Sequence, residues 1–126
     1  MSRQRTKGTR AENGAVSVFA PHFPYCERRA LRGKNDGGDL AGLPIPVEVK
    51  ANVADIAAAI KEAQAAAQRL GVHGYAAYVH ARGKPASEAY GVVHAWFLAE
   101  LLEAWDQAGR LPFGPTVVDV PTKGAL

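Results

Sequence analysis

Residues 52–71 constrain the fold of this chain strongly, because they carry both boundaries and the buried face of one helix. Asn52 is a typical residue for the start of a helix and Gly71 for its end. Apolar residues recur every three or four positions, at Ile56, Ile60, Ala63, Ala67 and Leu70. Alanine fills nine of positions 51–70, and such small side chains allow close packing on a sheet. We therefore predict a helix over Val53–Leu70 that packs against β-strands.

The rest of the chain alternates short extended segments with two further helices. A helix is predicted over 10–19, with Thr9 as its N-cap and Pro21 and Pro24 after its end, and another over 95–107. The predicted strands are Cys26–Arg32, Gly38–Gly42, Pro46–Ala51, Tyr75–His80 and Ala89–Val93. The order α-β-β-β-α-β-β-α indicates an α/β domain in which helices flank a small mixed sheet.

The length of 126 residues predicts a single domain over 1–126, with a basic segment at 1–8 and an extended tail at 109–126. The tail is expected to form at most one short edge strand, over 116–120. A hydrophobic fraction of 48% supports a core and excludes disorder for most of the length. No apolar run approaches the roughly 18 residues of a membrane span. The basic start leads into no apolar signal segment, and Cys26 is the only cysteine, so we expect a cytoplasmic protein.

Positive charge is concentrated in the first part of the chain. Residues 1–50 hold nine of the 15 Lys and Arg against five of the 12 acids, while the remainder holds six against seven. Clustered cations favour a polyanionic partner such as nucleic acid, because phosphates release counterions on binding. A solvated surface explains the same charges equally well.

Three charged residues suggest a catalytic site. Glu48 and Lys50 are two apart in a predicted strand and so project from the same face. A hairpin turning near Leu43 and Pro44 would bring Asp39 within reach of Glu48. Facing carboxylates repel unless a cation lies between them, and Mg²⁺ or Mn²⁺ suits such oxygen ligands. Lys50 would then orient or help deprotonate the attacking water and offset transition-state charge, as in a phosphodiesterase.

Simpler interpretations of these residues stay open. Glu48 and Lys50 would also fit a solvated ion pair on an exposed strand. Asp39, beside two glycines, would also fit an ordinary turn residue. The apolar neighbours Val47 and Val49 favour the catalytic interpretation, because a charged pair in a buried strand is costly without a partner. The histidines lack zinc-site spacing, and the glycines match neither the P-loop nor the dinucleotide fingerprint.

The acid pattern resembles a known superfamily. Asp39 followed by Glu48-x-Lys50, with a hairpin between them and a helix after them, resembles the PD-(D/E)xK nucleases. The blocks Lys7–Glu12, Arg28–Gly33 and Asp36–Gly42 are similar to the Holliday junction resolvase-like proteins of phages of actinobacteria. The similarity runs from about Lys7 to Leu102, with Gly38 where the motif has proline. It implies a restriction-endonuclease-like core and a metal-dependent endonuclease that cleaves four-way or other branched DNA in the host-cell cytoplasm.

The resemblance also assigns roles. Asp39 and Glu48 match the metal carboxylates, Lys50 the catalytic lysine and Glu12 the upstream acid, although Glu12 is equally explained as an exposed acid favoured by the helix dipole. The candidate DNA-binding residues are Arg28, Arg29, Arg32, Lys34, Arg82 and Lys84. Pairing with Glu27 or Glu88, or a solvated turn, explains some of them as well.

Other functions within this fold stay open. The alternatives are a nickase, a flap or fork nuclease, a non-specific nuclease, or a DNA-binding module without activity. A resolvase makes two symmetric cuts and therefore implies a C2 homodimer. The large apolar residues of the last helix are candidates for that interface or for the core: Trp96, Phe97, Leu101 and Trp105.

Overall fold

The protein has a mixed α/β architecture with three helices and two small sheets. The computed structural model describes residues 3–29 and 39–109, and side chains from residue 7 onward within them. The helices are α1 (Arg3–Phe19), α2 (Ile56–Leu70) and α3 (Ala95–Gln107), and the strands are β1 (Glu27–Arg28), β2 (Leu40–Ala41), β3 (Val47–Lys50), β4 (Ala76–Val79) and β5 (Tyr90–Val92). This order confirms the predicted α/β class. The chain divides into two compact units, Met1–His94 and Ala95–Leu126.

Strand pairing produces two ladders. β1 and β2 are antiparallel, with Arg28 opposite Leu40. β4 is the central strand of the second sheet, parallel to β3 and antiparallel to β5. Tyr78 in β4 lies opposite Val49 on one side and Gly91 on the other. The second sheet is therefore mixed, as predicted, while β1 and β2 form a separate ladder instead of extending it.

The predicted hairpin between β2 and β3 is wrong in its pairing. β2 pairs with β1. The contact with β3 is made by Asp39, directly before β2, whose N–H donates a 3.2 Å hydrogen bond to the Val47 carbonyl. Where a ladder between β2 and β3 would continue, the Val49 N–H donates to the side chain of Asp39 instead of to a backbone carbonyl of β2. Gly42 turns the chain at a φ of 85°, and a Cβ there would overlap the Tyr25 backbone.

Two helices cover opposite faces of β3 and β4. Successive side chains of a strand point to opposite faces, so the two faces build separate clusters. The α1 side buries Ala11, Ala15, Val47, Val49 and Tyr78. The α2 side buries Ala59, Ala63, Ala67, Ala77 and Val79. Glu48 and Lys50 alternate with the valines of β3 and therefore lie on the α2 side.

Helix α1 begins seven residues earlier than predicted, at Arg3 instead of position 10, so Thr9 lies inside the helix and is not its N-cap. Residues 3–9 contain no apolar side chain that continues the helical periodicity, so the apolar pattern did not predict this first part of the helix. Gly14 in the same helix has a packing role, since a Cβ there would lie 3.1 Å from the Tyr78 hydroxyl. That hydroxyl donates to the Ala86 carbonyl at 3.3 Å, so the glycine leaves room for a bonded side chain.

The remaining boundaries show where local signals succeed. Gly71 ends α2 in the left-handed conformation at φ 71°, and its N–H donates to the carbonyls of Ala67 and Gln68, as predicted. At the other end, Asn52 has extended backbone but makes no capping hydrogen bond, and a 3₁₀ turn over Val53–Asp55 precedes α2. The predicted bounds of α3 are confirmed.

The observed strands are each shorter than predicted, since several predicted end positions lie outside the ladders. Residues 30–32 of the first predicted strand and the predicted tail strand at 116–120 lie outside the described residues. In the portion of the chain that is described, no helix combines the length and apolarity needed to cross a bilayer.

Candidate active site

Asp39 lies against the edge of β3 that β4 leaves open. Its backbone carbonyl accepts from the Arg29 N–H at 3.0 Å, and its own N–H donates to the Val47 carbonyl. Its side chain then reaches further along the same strand, where Oδ2 accepts a 2.7 Å hydrogen bond from the Val49 N–H. Backbone and side chain together hold the Asp39 carboxylate beside β3.

The side chain of Glu48, in the middle of β3, lies next to the Asp39 carboxylate. It is half-buried between two buried valines and shares a side-chain hydrogen bond with Asp39. Burial, followed by the negative charge of Asp39, that hydrogen bond and the charge of Glu62, raises the pKa of Glu48 to about 8, although Lys50 works in the opposite direction. Near neutral pH the proton therefore stays on Glu48, which donates to the Asp39 carboxylate.

Lys50 lies on the same face of β3, two residues on. Its Nζ is 3.1 Å from Oε1 of Glu62 on α2, and 27% of the lysine side chain is exposed. Partial burial lowers the pKa of Lys50, but the hydrogen bond and charge of Glu62, with the charges of Glu48 and Asp39, outweigh it and raise the pKa overall. Lys50 is thus held as an ammonium ion beside the two carboxyl groups.

Glu62 is the residue of this cluster that the sequence analysis missed. It lies three residues after Ala59 and four before Ala66, both buried, so helical spacing places it beside the buried face of α2. That spacing was an available signal that Glu62 points toward the sheet. Which strand residue it meets depends on how α2 sits on β3, and this is not a local property of the sequence.

The donor chemistry of the pair Asp39 and Glu48 fits a hard divalent cation. Two carboxyl groups share one proton because their charges repel, and a cation between them would replace that proton. Mg²⁺ is commonly held by one or two carboxylates together with water and substrate phosphate oxygens. Among the residues described, no group of three or more His, Cys, Asp or Glu side chains is arranged to bind a metal. Glu62, the third acid nearby, is instead bonded to Lys50.

Glu12 forms an ion pair with Arg28. Its Oε1 accepts from Nε of Arg28 at 2.9 Å, and their side chains are 25% and 40% exposed. This ion pair joins α1 to β1. The structure thus brings the predicted upstream acid to a predicted DNA-binding arginine, while Asp39, Glu48 and Lys50 come together without it.

The other predicted DNA-binding residues are spread over several elements. Arg29 is half-buried, and its guanidinium donates to the Leu40 carbonyl at 3.3 Å. Arg82 and Lys84 are exposed in the turn after β4, where the Lys84 N–H donates to the Ala81 carbonyl at 3.0 Å. Arg32 and Lys34 lie outside the described residues.

Comparison of the chain with protein-family models, with curated proteins and with solved structures gave no match. The geometry of the site and the sequence pattern are therefore the basis for assigning a function.

Proposed function

We propose that the protein is a metal-dependent endodeoxyribonuclease that cleaves branched DNA as a Holliday junction resolvase in the cytoplasm. The observation that carries this proposal is the pairing of the Asp39 and Glu48 carboxyl groups beside the Lys50 ammonium, on one face of β3. We also propose a restriction-endonuclease-like core. The element order and the helix α2 directly after the strand of Glu48 and Lys50 support it, because the resemblance implies a mixed sheet flanked by helices with a helix after the acids.

In this proposal Asp39 and Glu48 would hold Mg²⁺, or Mn²⁺ in its place. The bound cation would supply Lewis acidity toward a phosphodiester oxygen and toward water. The Val49 N–H orients the Asp39 carboxylate for this role. Glu48 must lose its proton to serve as a ligand, and the positive charge of Lys50 on the same face favours that loss.

Lys50 acts through its charge. Since its pKa is raised, it carries a proton at neutral pH and is suited to stabilising negative charge that develops on the phosphate, more than to removing a proton from water. In the hydrolysis, the water oxygen forms a bond to phosphorus and the bond to the 3′ oxygen breaks. One water proton passes to solvent, and the 3′ oxygen takes up a proton, leaving a 5′-phosphate and a 3′-hydroxyl.

A junction with near two-fold symmetry requires two active sites, so we propose a C2 homodimer. Helix α3 carries large apolar side chains that are 41–56% exposed: Trp96, Leu98, Leu101, Leu102 and Trp105. Phe97, predicted with this group, is buried instead. We propose that the exposed side chains pack against a second copy. Leu102→Arg should shift the sedimentation coefficient to that of a monomer, whereas Leu70→Arg, at an exposed leucine of α2, should not.

The decisive experiment incubates the purified protein with a labelled four-way junction, a nicked duplex and a linear duplex, each with Mg²⁺, Mn²⁺ or chelator. Paired symmetric cuts in the junction alone would support a resolvase. Cleavage of every substrate would replace it with a general nuclease of the same site chemistry. DNA binding that is indifferent to Mg²⁺, with no cut under either cation, would indicate a binding module without activity.

Lys50→Ala separates catalysis from binding in the same assay. Removal of the ammonium should lower the cleavage rate by about a hundredfold or more, a typical loss for a transition-state charge contact. Junction affinity measured in chelator should stay near that of the wild type. Lys61→Ala, at an exposed lysine of α2, is the matched control and should leave both quantities unchanged. Loss of binding together with cleavage would contradict the assigned role of Lys50.

A further inference from the structure

A positively charged groove lies at the carboxyl-terminal ends of β3 and β4. It encloses about 460 Å³ and is lined by Lys7, Arg10, Ala11, Ala51, Asn52, His80 and Arg82. A second cavity of about 390 Å³ adjoins it through four shared residues and extends to the 3₁₀ turn at Val53–Asp55. Cavities of this size are in the range of small-molecule sites, about 300–1,000 Å³, and accommodate a nucleotide unit.

Two separate elements present the cations of this groove. Lys7 and Arg10 are three residues apart on α1 and so share one side of the helix. Arg82 occupies the turn after β4, where Gly83 adopts a φ of 75° that favours glycine. His80, which also lines the groove, is held at the end of β3, because its N–H donates to the Lys50 carbonyl at 2.9 Å. The positive charges therefore converge by tertiary packing and not by sequence adjacency.

Among the residues that the structure describes, no acid forms an ion pair with Lys7, Arg10 or Arg82. The ion pairs of Arg28 with Glu12 and of Lys50 with Glu62 lie elsewhere and include none of these cations. The described residues that line the larger cavity include no acid. Asp55 lines the adjoining cavity and would repel phosphate there. Cations that line one groove without an acid partner among the described residues favour a polyanion, and the end of the groove next to α1, away from Asp55, is where phosphate is best accommodated.

The groove lies where β3 ends, directly after the strand that carries Glu48 and Lys50. Ala51 and Asn52 line it and directly follow Lys50 in the chain. Lys50 lies on the α2 side of the sheet, whereas Ala51 packs into the cluster on the α1 side. The lining therefore leads from the end of β3 toward α1. The amide of Asn52 adds a hydrogen-bond donor of the kind that commonly contacts phosphate or sugar.

We propose that this groove binds the phosphate backbone of the DNA strand next to the cleaved phosphodiester, with Lys7, Arg10 and Arg82 as its contacts. The inference rests on the proposed nuclease function and deepens it, because it assigns a path for the strand on the α1 side of the sheet. We assign DNA as the ligand because the groove lies at the end of the strand that carries Glu48 and Lys50, whose chemistry suits a phosphodiester.

The test uses the full chain with Arg10→Ala and Arg82→Ala combined. Affinity for a labelled four-way junction and a labelled single strand is measured by fluorescence anisotropy in chelator, between about 50 and 200 mM salt. Loss of two phosphate contacts should weaken binding about tenfold or more and reduce the slope of log affinity against log salt by roughly 1.4 to 1.8. Lys61→Ala with Arg69→Ala, two exposed cations of α2 outside the groove lining, is the matched control and should have little effect.

The conservative variant Arg10→Lys with Arg82→Lys retains the charge and should bind like the wild type, which separates a charge contact from a folding defect. Wild-type affinity and salt slope in the alanine variant would overturn the proposal, and so would an equal loss in the control. Tighter binding of an RNA strand of the same sequence, lost in the same variant, would replace DNA with RNA as the occupant. Because chelator removes any need for cleavage, a protein that cuts nothing but loses binding in the alanine variant would refute the catalytic proposal and leave the groove standing.

Discussion

The Val49 N–H donates a 2.7 Å hydrogen bond to Oδ2 of Asp39, ten residues earlier in the chain. β3 pairs with β4 along one edge, and Asp39 occupies part of the other edge with both its backbone and its side chain. An edge N–H that would otherwise need a strand partner is satisfied by a carboxylate. The strand that carries Glu48 and Lys50 thus also fixes the acid that faces Glu48.

Asp39→Asn should abolish Mg²⁺-supported cleavage while the protein remains folded. The asparagine oxygen can still accept from the Val49 N–H, but the negative charge that would hold the cation is lost. Asp39→Ala should additionally destabilise the fold by about 1–3 kcal/mol, because it leaves that N–H without its partner. Cleavage assays and urea unfolding of the two variants measure the two effects. Unchanged cleavage by Asp39→Asn in Mg²⁺ would remove Asp39 from the site.

The metal-free protein should become less stable as pH rises from about 4.5 toward 8. The pKa of Glu48 is raised from 4.5 to about 8, so in this window the folded chain binds a proton that the unfolded chain has released. This contribution is fully present below the unfolded pKa and is lost as pH rises through the folded one. Urea unfolding at about pH 6 and pH 9 in chelator measures the trend.

Glu48→Gln should flatten that pH dependence, since glutamine has no proton to lose. It should also raise stability near pH 9 relative to the wild type, because the repulsion with Asp39 is gone. Mg²⁺ should stabilise the wild type but not this variant. The same pH dependence in both proteins would show that Glu48 is not the titrating group.

Glu62→Gln should alter the pH profile of cleavage with little cost in stability. Half of the Glu62 side chain is exposed, so loss of its ion pair should change the unfolding free energy by less than about 1 kcal/mol. Glu62 helps raise the pKa of Lys50, so the alkaline limit of cleavage should move to lower pH. Rates measured across the alkaline range test this, with Glu103→Gln on α3 as a control. An unmoved limit would contradict a positioning role for Glu62.

Gly42→Ala should destabilise the protein more than Gly71→Ala. Both glycines have positive φ, 85° and 71°, and alanine in that conformation costs about 1–2 kcal/mol. At Gly71 a Cβ would meet open space, whereas at Gly42 it would overlap the Tyr25 backbone. Gly42→Ala should therefore have the lower urea midpoint of the two. Equal midpoints would show that the turn beside β2 relaxes freely.

The sequence by itself determined the features that depend on near neighbours along the chain. The left-handed end of α2 at Gly71 and the bounds of α3 follow from local conformational preference and periodicity. The common face of Glu48 and Lys50 follows from the two-residue repeat of a strand. These signals act over a few residues, so no knowledge of the tertiary fold was needed to predict them.

Only the tertiary structure decided which distant groups meet. β2 pairs with β1 instead of forming the expected hairpin with β3, yet Asp39 still reaches the edge of β3 through its side chain. The packing of α2 brings Glu62 to Lys50, and the pairing of α1 with β1 brings Glu12 to Arg28. Such contacts depend on sheet register and helix placement, which are set by the burial of apolar residues over the whole core. The positions of the charged side chains relative to one another are therefore a consequence of that packing.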